Sequence, residues 1–174
     1  NTSFAQNGEF YLGTKEFGIL KKKFFSGVYE EIHPEGPSSN QVFSIEAQNG
    51  NLWVVYGGYD AAFTPLNKQS GFSHFKESEN SWINRNFDPS FPALDLVNVT
   101  LDPDNEERAY ISSWNSGIMV VENDLPEVIW NETNSGLEDL YPPGSPNTSI
   151  RINGTAFDNS GNFWVANAWI PNRL

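Results

Sequence analysis

The chain has 174 residues, no cysteine and a net charge of −12. That balance argues against a nucleic-acid partner, which needs a basic face, and the missing thiols exclude a disulfide framework and thiolate zinc sites. Only 18% of residues are charged while 14% are aromatic, and with many Gly and Pro this composition favours strands over helices and order over disorder.

Glu9 to Thr14 reads as a strand, and Phe17-Gly18-Ile19-Leu20 opens a second. The run Lys21-Lys22-Lys23 reads as a solvated strand end, and Val28 to Ile32 alternates weakly, as an outer strand does. His33 to Asn40 is a loop by its Pro, Gly and Ser content. Gln41 to Ala47 is the next strand, and Gln48-Asn49-Gly50-Asn51 is a tight turn, because Asn-Gly supplies the positive φ of a type I′ hairpin. In the strand Leu52 to Tyr56, Leu52, Val54 and Tyr56 share one side while Trp53 and Val55 share the other. Both sides are apolar, which predicts a strand between two packed layers. Gly71 to Phe75 and Ser81 to Asn84 continue the sheet, and Phe87 to Ala93 is a Pro-bearing connection. Leu96 to Leu101, Arg108 to Ser113, Gly117 to Val121 and Glu127 to Trp130 form the next group, followed by a polar loop from Asn131 to Asn147. Ser149 to Phe157, a turn at Asp158 to Gly161, and Phe163 to Asn167 close the series.

The element at Gly50 recurs. Gly8-Glu9-Phe10-Tyr11-Leu12-Gly13 and Gly161-Asn162-Phe163-Trp164-Val165 repeat it, and Glu107 to Ser113 is a fourth copy with a degraded turn. The anchors Tyr11, Trp53, Tyr110 and Trp164 are 42, 57 and 54 residues apart, and four-stranded antiparallel units of roughly 40–50 residues are the signature of propeller blades. The expected fold is all-β: a partial β-propeller of four-stranded antiparallel blades, about three blades and two strands of a fourth, cut from a larger ring. The blades fall at 8–40 (lacking its first strand), 41–93, 94–148 and 149–174 (incomplete). A sandwich or an open β-array of the same strands is the alternative. A cut propeller should expose an apolar face at one or both ends. No apolar stretch is long enough to span a bilayer. The chain starts at Asn1 rather than Met, so it reads as a mature or excised piece.

Little of the sequence carries chemistry. His33 and His74 have no nucleophile motif around them, and the adjacent pairs Glu30-Glu31 and Glu106-Glu107 point to opposite faces of a strand. No catalytic residue, cofactor or metal is expected. An enzyme on this scaffold would need a catalytic cluster built partly from further blades. The cluster Asp102, Asp104, Asn105, Glu106 and Glu107 lacks the Gly and closing Glu of an EF-hand, and reads as a solvated acidic turn. Five Asn-X-Ser/Thr sequons start at Asn1, Asn98, Asn131, Asn147 and Asn153; Asn98 and Asn153 fall within strands, which favours chance. The aromatics of the loops between the second and third strands are more informative. Tyr59 and Asp60, Trp114 and Asn115, and Trp169 and Asn172 open on one face, and flat rings beside amide and carboxylate groups suit carbohydrate or protein contacts. The competing reading packs these rings between blades.

The repeat Gly-Asn-(Leu/Phe)-Trp-Val, followed later by Gly-Ile-(Leu/Met), resembles the two-component-regulator type of propeller repeat. A longer ordered set resembles the PorZ-like propeller family of the type IX secretion system: Pro34 to Pro37, Leu52 to Asp60, Gly71 to Phe75, Ser81 to Asn84, Ser112-Ser113-Trp114, Val121 to Asp124, and Gly154 through Trp169. That resemblance implies a protein at the extracellular face, acting in an attachment complex with PorU, PorV and PorQ. It implies binding of anionic lipopolysaccharide and its delivery to the PorU sortase, without a catalytic residue of its own. The alternative is a periplasmic oligosaccharide-sensing propeller of a hybrid two-component regulator.

Overall fold

The structure is a computed structural model that describes residues 2–15, 18–32 and 35–170. It divides into two compact units, Asn1–Gly36 and Pro37–Leu174. Among the described residues every regular element is a strand, as the composition requires.

The first unit is one antiparallel sheet in the order β1 (Thr2–Gln6), β2 (Glu9–Gly13), β3 (Ile19–Lys23) and β4 (Glu30–Ile32). Strand β1 corrects the expectation that this sheet lacks its first strand. Thr2-Ser3-Phe4-Ala5-Gln6 has no apolar alternation and lies exposed along its whole length, so only its pairing to β2 marks it as a strand. The turn between them has positive φ at Asn7 and Gly8, the backbone of a type I′ hairpin. Lys21 of the basic run pairs with Glu9 and Glu30, and Lys22 stands over the Tyr29 ring.

The second unit holds three sheets. Sheet II is β5 (Ser44–Gln48), β6 (Asn51–Val55), β7 (Phe72–Lys76) and β8 (Ser81–Arg85). Sheet III is β9 (Leu96–Leu101), β10 (Arg108–Ser113), β11 (Gly117–Glu122) and β12 (Leu125–Trp130). Sheet IV pairs β13 (Ile152–Phe157) with β14 (Phe163–Asn167). Each sheet of the second unit is antiparallel in chain order, the pattern of a four-stranded propeller blade in sheets II and III and of two adjacent blade strands in sheet IV. The β5–β6 turn has positive φ at Asn49 and Gly50, as the Asn-Gly pair demands. The strand expected from Ser149 begins only at Ile152; Ile150 instead makes an isolated parallel bridge to Ser116 and closes on sheet III.

Alternation explains how the sheets stack. On β10, Ala109 and Ile111 face sheet II, in a core with Trp53, Val55, Phe72, Leu96, Val99, Met119 and Val121. Tyr110 of the same strand faces sheet IV, in a core with Ile118, Val120, Ile150 and Ile152. Sheet III is therefore buried on both faces, which is why its strands are apolar at consecutive positions. Backbone approach is close where the sheets meet: Gly57 N donates to Leu96 O at 2.9 Å, and a Cβ on Gly57 would overlap the Leu96 backbone. On sheet IV, β14 alternates between half-buried and exposed residues, and Trp164 is 55% exposed.

A polar contact also joins sheets II and III. Buried His74 on β7 contacts Asp124 Oδ1 through Nδ1 at 2.6 Å and Asn51 Oδ1 through Nε2 at 2.9 Å, and it stacks on Trp53 at 4.0 Å. Lys76 adds ion pairs to Asp124 and Glu107. Burial pushes the Asp124 carboxyl upward, but hydrogen bonds from His74 and Lys76 outweigh it and leave the group below its ordinary value. This pairing of His74 joins positions fifty residues apart and has no sequence motif. His33 lies outside the described residues.

Candidate loop-face site

The loops that follow β6, β10 and β14 meet on one side of the second unit. The first is held by its acids. Asp60 Oδ1 accepts from the amides of Ala62 and Thr64, both at 2.9 Å, and Tyr59 bridges to Pro65. These backbone donors, Thr64 first, hold the Asp60 carboxyl below its ordinary value although burial opposes them. Fully buried Asp95 accepts from the amides of Asn67 and Lys68 at 2.8 and 2.9 Å and pins the end of the same loop. Its own carbonyl accepts from Trp114 N, so one residue registers the first loop against the second.

Four rings gather on this scaffold. Tyr59 lies 4.7 Å from Trp114 and 5.3 Å from Phe63, and Trp114 lies 6.4 Å from Trp169, measured between ring centroids. Trp114 Nε1 donates to Phe63 O at 2.9 Å, and Asn153 donates to Tyr59 OH at 3.1 Å. Arg151 enters from the segment before β13. Its guanidinium carbon lies 4.5 Å from the Trp169 ring centroid and 5.9 Å from that of Trp114. Its Nη1 donates to Phe63 O at 3.2 Å and its Nε to Ser149 Oγ at 3.2 Å.

The structure thus brings Tyr59, Trp114 and Trp169 into one cluster fed by three sheets. Their exposure differs. Trp114 is only 6% exposed, because the 59–65 loop folds over it, so it belongs to the packed floor of the cluster. Trp169 is 50% exposed and has φ of 65°, a backbone region that bulky residues rarely enter. Asp60 spends a carboxylate oxygen on its own loop, and Asn115 donates to Asn67 Oδ1 at 2.9 Å. Asn172 lies outside the described residues. Sequence reasoning missed Phe63, Asn153 and Arg151. One signal for Arg151 existed: it is the single charge in the apolar stretch Ile150-Arg151-Ile152, at a position that packing should fill with a hydrophobe.

Other polar clusters are occupied by protein partners. In the acidic turn, Asp102 accepts from Asp104 N and Tyr110 OH, Asn105 Oδ1 accepts from Glu107 N, and Glu107 pairs with Lys76. Asn98 and Asn153, both within sequons, point their amides at Thr155 and Tyr59. No group of three or more acidic or histidine side chains is placed to hold a metal among the described residues. Nor, among those residues, is any helix long and apolar enough to cross a membrane.

No protein-family model matches the chain, and no curated protein matches it. Solved structures do. PorZ, a bacterial surface component of the type IX secretion system of Porphyromonas gingivalis, matches at 17% identity and a TM-score of 0.65. The alignment covers 93% of this chain and 22% of PorZ, so the chain spans about a fifth of that protein's length. Two extracellular domains ascribed to hybrid two-component systems of B. thetaiotaomicron align over 92% and 95% of the chain and 20% and 19% of their own. Their identities are 14% and 18%, with TM-scores of 0.46 and 0.45. The likeness to PorZ shows the fold: the sheets are propeller-type blades.

Proposed function

We propose that the chain is a non-catalytic propeller module of a type IX secretion attachment complex at the cell surface. In this reading it contacts the complex's proteins, PorU, PorV and PorQ in the related system, and binds anionic lipopolysaccharide for delivery to the sortase. The observation that carries the recognition role is the convergence of Tyr59, Phe63, Trp114 and Trp169 from three sheets onto one loop face, with the Trp169 ring half exposed. Flat aromatic surface beside polar groups suits sugar rings and protein side chains alike. The ordered likeness to the PorZ-like family and the shared blade architecture support the secretion setting. The non-catalytic role is supported by the environment of His74, whose two nitrogens are both occupied by Asp124 and Asn51 in the interior.

The test is affinity capture of the full-length protein from its native outer-membrane extract. Co-recovery of sortase-complex subunits and lipopolysaccharide is expected; recovery of neither would falsify the reading. The repeat at Gly50 and Gly161 favours a second reading, the oligosaccharide-sensing propeller of a hybrid two-component regulator. A histidine-kinase domain encoded in the same gene would establish it.

A further inference from the structure

We propose that Arg151 makes the loop face a receptor for one anionic group carried by a sugar, a phosphate or a carboxylate, with the Trp169 indole stacked beside it. This deepens the saccharide reading above and rests on it for the sugar, though not for the anion.

Arg151 is only 7% exposed, yet no carboxylate pairs with it among the described residues. A buried charge left without a counter-ion is costly, and proteins pair such groups almost without exception. Shortage of acids is no explanation, since Asp and Glu outnumber Lys and Arg by 22 to 10. The comparable cation of the same unit, Lys76, has both Asp124 and Glu107. Asp60 has Oδ1 turned onto the amides of Ala62 and Thr64, and Asp139 has Oδ1 on the amide of Ser149.

The donor count points the same way. A guanidinium carries five N–H groups. Arg151 directs Nε to Ser149 Oγ and Nη1 to Phe63 O, both neutral oxygens. The remaining N–H groups have no protein acceptor among the described residues. The Trp169 and Trp114 rings, inclined at 75° to each other, pack against the guanidinium with its carbon 4.5 and 5.9 Å from their centroids, and the N–H groups left over lie along the edge of its planar fork. An edge of that kind matches a carboxylate or phosphate, which accepts two parallel hydrogen bonds. Burial lowers the Arg151 value from its usual one, and the opposing pull of Tyr141 does not make up for it. Trp169 completes the site. Its left-handed backbone is a strain that persists only where surrounding structure enforces it, and here it presents a half-exposed indole beside the guanidinium.

The experiment titrates the full chain with glucose 1-phosphate, glucuronate, glucose and inorganic phosphate, read by intrinsic tryptophan fluorescence and calorimetry. At least one acidic sugar is expected to bind about tenfold more tightly than glucose, and the arm that binds tells phosphate from carboxylate. Arg151→Gln should abolish that preference. Because Arg151 also supports Phe63, Arg151→Lys is the second variant: it keeps the charge, loses the fork, and should weaken the acidic sugar about fivefold in a chain that still unfolds cooperatively. Equal binding of glucose and both acidic sugars overturns the proposal, as does an acidic preference that survives in Arg151→Gln. If inorganic phosphate alone perturbs the indoles in the wild type but not in Arg151→Gln, and no sugar binds, the anion site stands and the saccharide reading fails. If neither phosphate nor an acidic sugar binds, the anion site itself is overturned.

Discussion

Trp53 and Trp164 occupy the same position in two copies of one repeat, Gly-Asn-Leu-Trp-Val and Gly-Asn-Phe-Trp-Val, and have opposite surroundings. Trp53 is 1% exposed between sheets II and III, with Phe72 and His74 against its ring. Trp164 stands on the open face of sheet IV, its Nε1 donating to Asp158 Oδ2 at 2.9 Å. Tyr110, the equivalent of both in sheet III, is covered by Phe157 and Phe163 of sheet IV. The repeat therefore turns its large ring toward the sheet that follows. Whether the ring is buried depends on what lies against it. The strand encodes a face, and the neighbouring sheet turns that face into stability.

The sharpest way to break the comparison is to truncate both rings. Trp53→Ala should cost about 3–5 kcal/mol, the usual loss for a large buried aromatic, measured by denaturant unfolding of the full chain. Asp124→Ala comes next, at about 3 kcal/mol, because it leaves His74 and Lys76 without their shared carboxylate at the same sheet boundary. The pH dependence has a definite sign. The Asp124 value is lowered in the folded chain, so its contribution is present above the unfolded value of about 3.9 and is lost as pH falls through the lower folded value. Acid unfolding below about pH 4 should be shallower in Asp124→Asn than in the wild type. Gly57→Ala should cost about 2 kcal/mol by forcing sheet II away from the Leu96 backbone, visible as a lower thermal midpoint. Trp164→Ala should change stability by at most about 0.5 kcal/mol, as at other exposed positions. A loss there equal to that of Trp53→Ala would mean that a partner covers sheet IV in solution.

Much of the architecture was legible in the residues. The boundaries of Leu96 to Leu101, Arg108 to Ser113 and Phe163 to Asn167 follow from the residues, because alternation and turn chemistry are local signals. Strand β1 was not legible, since Thr2 to Gln6 carries no apolar period and is a strand only through its pairing to β2. The loop face was legible in part. Tyr59, Trp114 and Trp169 announced themselves as rings in loops, but nothing local distinguished covered Trp114 from half-exposed Trp169.

The strand order from β2 onward, the type I′ turn at Asn49-Gly50 and the blade repeat follow from the residues alone, because hydrophobic alternation and positive-φ residues act over a few positions. Only the tertiary structure decided that His74 meets Asp124, that Phe63 accepts from both Trp114 and Arg151, and that Arg151 lies beside two indoles without a carboxylate. These contacts join residues from different sheets, 50, 51 and 88 positions apart. Such partners are chosen by how whole sheets stack, which no local period records.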